Sequence, residues 1–406
     1  MKRRHLEAHM NVLTRAATVL LIGVSSLGAQ NFPTKGWDTT TPHAVGIRKE
    51  VLDSIDQEIL SGRYGLVDRM LVIRHGQVAY DRSYIQNYDK AYADSVNVAG
   101  PLNANDVTGP YNYYNPWWHP YYRRGDLHTL QSVTKTITSV LFGVAVTRGE
   151  FTGLDRPVLS FFPAGSVANV DERKSRMTVH HLMTMTSGID WNENLPYSDP
   201  KNTAIALEAS SDWVKFVMDR PMSDEPGKRY NYNSGATEIL AHVFRKATGY
   251  DIEEYAAKNL FAPLGIHRWY WKRSPTGLID TEGGLYLEAR DLAKIWYLFL
   301  HDGKWDGKQI ISSDWVRQST TPFIKTSAAA NAPSYGLAWW LFPTGADTSR
   351  FYWAGSGFGG QVPIASVGHD LVVVFNAWNI LPGRANMPTR RLVDRIVAGI
   401  RDSPKR

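Results

Sequence analysis

Gln131-Ser132-Val133-Thr134-Lys135-Thr136-Ile137-Thr138-Ser139-Val140-Leu141-Phe142-Gly143-Val144-Ala145-Val146-Thr147-Arg148 reads as one helix. Val133, Ile137, Val140, Leu141, Val144 and Ala145 recur at helical spacing, and Gly149 supplies a stop. So apolar a helix belongs in an interior, with other layers packed around it. Its first turn carries Ser132 and Lys135, three residues apart and therefore on one helix face.

Working outward, residues 51–61 have helix-like apolar spacing. Met70-Leu71-Val72-Ile73 and Val78-Ala79-Tyr80, joined through His75-Gly76, read as a β-hairpin. Residues 89–126 form a long Asn-, Gly- and Pro-punctuated stretch crowded with Tyr111, Tyr113, Tyr114, Trp117, Trp118, Tyr121 and Tyr122, which reads as an ordered loop that buries area or lines a site. Helices are expected at 180–186, 211–218, 235–248, 252–260, 289–300 and 312–319, strands at 335–342, 351–354, 361–367 and 371–375, and a closing helix at 392–400. A hairpin at one end, a helical middle and strands at the other give an α/β (α+β) layer: an antiparallel sheet flanked by helices. Its strands come from about 45–130 and 280–402, with a mainly helical subdomain inserted at about 136–280.

The chain has 406 residues and no cysteine, which rules out disulfides, thiolate metal sites and a cysteine nucleophile. Residues 1–29 read as a signal peptide: Lys2, Arg3, Arg4 and Arg15 precede the apolar run 16–27, and small residues lead to Gln30. Met10 offers an alternative start. The run is shorter than the ~20 residues of a spanning helix. A periplasmic or secreted protein with no stable membrane anchor after processing is expected. The formal charge of +6 falls to about +3 without that leader, and no basic run is interleaved with aromatics, so nucleic acid is not an expected partner.

Ser132 and Lys135 sit where a helix N-terminus supplies free N–H groups and a positive dipole end, favouring an oxyanion and disfavouring a second positive charge. In a chain this long one or two Ser-x-x-Lys matches arise by chance, roughly, at ordinary residue frequencies. The second match, Ser198-Asp199-Pro200-Lys201, lies in a polar stretch with no apolar helix behind it. The bland alternative for Ser132 and Lys135 is a helix cap beside a solvated lysine. Pro226 to Glu238 forms a turn, a short extended piece and a helix start, in which Tyr232 can relay a proton and Ser234 can hold a substrate. Gly355-Ser356-Gly357-Phe358-Gly359-Gly360-Gln361 lies between strands, where an N–H group can face a ligand closely. As isolated features, a packed tyrosine and a glycine-rich hairpin connection explain these two equally well.

Taken in order, the three segments resemble the serine β-lactamases, penicillin-binding proteins and related esterases, with Ser-x-x-Lys, then Tyr-x-Ser, then a variant of Lys-Thr-Gly. The resemblance extends through His181 to Ile189, Glu225-Pro226-Gly227, Gly283 to Tyr286, Ala289 to Ala293 and Tyr335 to Trp339. It implies a β-lactamase/transpeptidase-like fold, with Ser132 as nucleophile, Lys135 as base and Tyr232 as the partnering general acid/base. It further implies that the N–H groups of Ser132 and Phe358 bind the oxyanion, with Ser234, Ser356 and Gly357 in substrate-binding positions. Ser234 stands where asparagine is usual, and Gly355 where lysine is usual. Both departures resemble the branch of 6-aminohexanoate-dimer hydrolase and carboxylesterases, and they point away from an anionic β-lactam.

The expectation is an exported hydrolase of small-molecule esters or amides with no cofactor and no metal. β-Lactamase or D-Ala-D-Ala peptidase activity, or a catalytically silent binding protein on the same scaffold, are the alternatives. Among the 12 histidines are His119, His180 and His181, but no His-Glu-x-x-His pair, and no Gly-x-Ser-x-Gly elbow or Walker lysine occurs. The sequence sets no oligomeric state.

Overall fold

Leu371-Val372-Val373-Val374-Phe375 is apolar on both faces, so it belongs in the middle of a sheet covered on both sides. In the structure, a computed structural model, it lies there. The described residues are 32–103, 108–329, 331–344, 347–381, 383 and 387–401, and the expected leader lies outside them.

Nine strands form the main sheet, in the order 38–39, 77–83, 67–74, 371–377, 362–366, 347–354, 340–344, 334–335, 324–325. Neighbours pair antiparallel throughout, except that the two-residue edge strand Asp38–Thr39 runs parallel to Gln77–Ser83, which makes the sheet mixed where a wholly antiparallel one was expected. The hairpin turn His75-Gly76 has φ of 53° and 72°, the paired left-handed geometry that matches the strand twist.

Alternation sorts the two faces. Leu71, Ile73, Val372 and Val374 join the core built with helices Val133–Thr147 and Ala289–Leu300. Met70, Val72, Val373 and Phe375 pack instead against Leu52, Ile55 and Ile59 of helix Lys49–Leu60 and Leu392, Val393 and Ile396 of helix Thr389–Ala398.

Helix Val133–Thr147 is buried along Val133 to Ala145. Its threonines are tolerated there because the hydroxyls are satisfied: Thr136 donates to Ala338 O at 2.8 Å and Thr138 to Thr134 O at 3.0 Å. Gly143 lets Trp315 approach so closely that an added Cβ would lie 2.4 Å from its Cδ1. Alanine would gain about 1 kcal/mol of helix propensity, but overpacking against a buried indole costs about 1–3 kcal/mol. The clash should win, so Gly143→Ala is expected to lower the thermal midpoint by about 2–4 °C for each kcal/mol lost. A raised midpoint would show that Trp315 can yield.

A second, three-stranded sheet of His128–Thr129, Leu285–Leu287 and Tyr270–Trp271 leads the chain into Ser132. Leu130 N donates to Leu285 O at 2.8 Å, which fixes the segment around Glu282 beside the helix start. The expected strand 335–342 is two strands, Ser334–Tyr335 and Trp340–Thr344, paired antiparallel. The break falls at Ala338, whose φ of 60° a strand cannot contain and whose N–H donates to Met183 O at 2.8 Å. The expected helix 252–260 is α-helical over Ile252–Ala256 and continues as a π turn, Ala257–Phe261. In the aromatic stretch, Tyr92 and Tyr113 are buried with Leu102 against Trp378. Among the described residues no helix is long and apolar enough to cross a membrane.

Candidate active site

Ser132 caps helix Val133–Thr147 with φ −61° and ψ −5°, directly after Gln131, whose φ of 48° is left-handed. That conformation is costly for glutamine and survives because its surroundings fix it; Gln131 Nε2 donates to Thr129 Oγ1 at 3.0 Å. Lys135, one turn on and 1% exposed, places Nζ 3.0 Å from Ser132 Oγ and donates to Glu282 O at 2.7 Å. The Glu282 carboxylate is 4.0 Å from the same nitrogen. An amine held at this distance can exchange a proton with the hydroxyl.

Tyr232 stands close enough for Ser132 to influence its phenol, and its ring lies 5.4 Å from Lys135 Nζ and 6.0 Å from the Trp340 ring. Burial, then the Glu193 charge, push its phenol well above the ordinary range, so Tyr232 rests protonated. Asn233 caps the next helix, Ser234–Thr248, by accepting from Ala236 N at 2.9 Å. Ser234 thereby faces Glu193: its Oγ donates to Oε1 at 2.6 Å and its N–H to Oε2 at 2.8 Å. Trp191 Nε1 at 2.8 Å and Tyr197 OH at 2.6 Å complete the clasp around that carboxylate. The hydroxyl expected to hold substrate is thus engaged by a glutamate that no local sequence signal marks.

Gly357 runs so close to the helix start that an added Cβ would lie 2.3 Å from Leu130 O. Only glycine permits that approach, and it brings Phe358 into the pocket that also holds Ser132 and Ser234. Among the described residues, neither the Ser132 nor the Phe358 N–H donates to a backbone carbonyl. Two free amides beside a hydroxyl are what an oxyanion requires. Ser356, in contrast, lines a different cleft of about 710 Å³ together with Gly357, Arg390 and Arg391. The structure does not bring Ser356 into the Ser132 pocket.

That pocket is about 30 Å³, close to the volume of one water, and is walled by Leu102, Tyr113, Tyr197 and Phe358. Its polar lining includes two carboxyl groups, Glu208 and Glu282, which influence one another. Burial pushes Glu208 up to about 7. Burial, joined by the neighbouring carboxylates and opposed by Lys135, pushes Glu282 well up. Beneath them the fully buried Lys272 lies 3.6 Å from Asp280 and faces the rings of Tyr111 at 4.2 Å and Tyr113 at 5.0 Å. Among the described residues no group of three or more His, Asp or Glu side chains is placed to hold a metal ion.

A profile of the Beta-lactamase family matches residues 57–397. The 6-aminohexanoate-dimer hydrolase of Paenarthrobacter ureafaciens is 28% identical over 54% of this chain and 60% of its own length. Esterase EstB of Burkholderia gladioli is 30% identical over 36% of this chain and 38% of its own. The alignments therefore span less than two thirds of these relatives. The octameric penicillin-binding protein homologue from Pyrococcus abyssi, 19% identical, shares the fold over 86% of this chain and 76% of its own, with a TM-score of 0.57.

Proposed function

The chain belongs to the Beta-lactamase family, and from that premise we propose that it is an exported serine hydrolase that cleaves small esters or amides through an acyl-enzyme on Ser132. The observation that carries this reading is the 3.0 Å contact between Lys135 Nζ and Ser132 Oγ, with the Tyr232 ring 5.4 Å from the same amine. Similarity to proteins named as a 6-aminohexanoate-dimer hydrolase and an esterase supports the ester or amide class. The leader-like composition of residues 1–29 supports export.

In the proposed reaction Lys135 accepts the Ser132 proton as Oγ attacks the substrate carbonyl. The tetrahedral oxyanion forms between the N–H groups of Ser132 and Phe358. Tyr232 gives its proton to the departing oxygen or nitrogen and is reprotonated from Lys135, which leaves the acyl-enzyme. Water then attacks the ester carbonyl, the same groups carry its proton back to Oγ, and the acid is released. Gly355, where the family's lysine would stand, offers no charge to an anionic β-lactam.

A fluorophosphonate probe is expected to modify Ser132 stoichiometrically, as read by intact mass and peptide mapping. Ser198 serves as an internal control, because it lies exposed in a turn. Labelling of Ser198 in place of Ser132, or of neither, would overturn the assignment.

A further inference from the structure

Gln361 closes the glycine-rich connection 355–361 and is fully buried. A buried amide must find partners for its two N–H bonds and its carbonyl within the protein. Here Nε2 donates to Phe358 O at 3.2 Å and to Ala377 O at 2.5 Å, while Oε1 accepts from Asn376 Nδ2 at 3.3 Å. Asn376 and Ala377 end the strand 371–377 in the middle of the main sheet. One side chain therefore ties the turn to that strand. Just beyond the strand, Asn379 N holds the turn again by donating to Gly359 O at 2.9 Å.

Backbone bonds inside the turn set which way the Phe358 amide points. Gly357 O accepts from Gly360 N at 3.1 Å and from Gln361 N at 3.3 Å, so this carbonyl faces the interior of the turn. The Gly357–Phe358 peptide is trans, which aims its N–H opposite to that carbonyl, out of the turn. Phe358 itself lines the Ser132 pocket. Donors stabilise an oxyanion only when they are aimed before it forms. A turn in which Gly359 and Gly360 hold φ of 85° and 112° is built from freely rotating residues, and its aim needs an anchor outside it. We propose that Gln361 is that anchor: a positioning residue whose amide locks the turn to strand 371–377 and so aims the Phe358 N–H at a carbonyl held on Ser132. The inference rests on the Ser132 acyl-transfer reading, which supplies the oxyanion.

The test is Gln361→Met, which keeps the length and burial of the side chain and removes its hydrogen bonds. With 4-nitrophenyl acetate, kcat is expected to fall by about 10², the lower end of the range for losing an oxyanion donor. KM should stay near its original value, because the donor matters only once the carbonyl oxygen carries charge. Phenylboronic acid supplies the readout that a merely structural role would not move. Its boron becomes tetrahedral on the serine oxygen and places a hydroxyl where the oxyanion forms. Its inhibition constant should therefore rise by about the same factor as kcat/KM falls. Should Gln361→Met fail to fold, Gln361→Asn provides the same comparison, since its shorter amide stays polar but cannot span both carbonyls. A folded variant with unchanged kcat would overturn the proposal. So would a loss of kcat that leaves boronate affinity untouched. If the unsubstituted protein neither cleaves the ester nor reacts with the fluorophosphonate at Ser132, the hydrolase reading itself fails and the positioning role falls with it. An active parent whose Gln361 variants lose nothing removes only the positioning role.

Discussion

Lys135→Ala is expected to lower kcat by about 10²–10⁴, the range for loss of a positioned general base. The amine is buried and held from two directions, by Ser132 Oγ at 3.0 Å and Glu282 O at 2.7 Å, so no other side chain can take its place. The truncation also removes the cation 4.0 Å from the Glu282 carboxylate, so a thermal midpoint must accompany the kinetics. Acylation is the step that should suffer. Rapid-quench measurement with a nitrophenyl ester should show the first turnover slowed together with the steady state. An undiminished burst in a folded variant would assign the base to another group.

The second large effect is Tyr232→Phe, and its size should depend on the leaving group. An amine cannot depart without a proton, whereas a nitrophenolate can. Amide turnover is therefore expected to fall by about 10²–10⁴ and activated ester turnover by much less. Because the phenol is held well above its ordinary range by burial and by Glu193, the tyrosine is a donor in its resting state. The substitution keeps the ring against Trp340 and removes only the hydroxyl. If amide and activated ester turnover are both unchanged, Tyr232 is a structural residue and the proton path proposed here is wrong.

What the sequence disclosed, and what it withheld, follows from how far apart the interacting residues lie. Ser132 and Lys135 are legible because helical spacing alone brings residues three apart together. The central strand 371–377 is legible because an unbroken apolar run admits few environments. The carboxyl groups were not. Glu193 meets Ser234, and Glu208 comes beside Glu282, only after segments far apart in the chain have folded together, and nothing in the local pattern around any of these carboxylates marks it. Ser234 and Ser356 show the same limit from the other side. A motif position says which loop carries a side chain, but tertiary contacts turn one hydroxyl onto Glu193 and the other into a separate cleft. The strand expected at 335–342 was misjudged because apolar residues continue through the turn at Ala338, whose backbone angle leaves no trace in hydropathy.

The place of strand 371–377, between 67–74 and 362–366, bears on how the chain must assemble. The first hairpin leaves the ribosome early, yet its inner partner is almost the last element made. At ordinary elongation rates of ~5–20 residues per second, roughly 15–60 s separate the two. During that interval strand 67–74 is paired only with 77–83, and its other edge, apolar and unpaired, invites association with other chains. Closing the sheet joins contacts about three hundred residues apart, the kind of long-range pairing that slows folding. Maturation is therefore tied to completion of the polypeptide, and a nascent chain halted before residue 371 holds the serine helix but lacks the central strand of the sheet that packs against it.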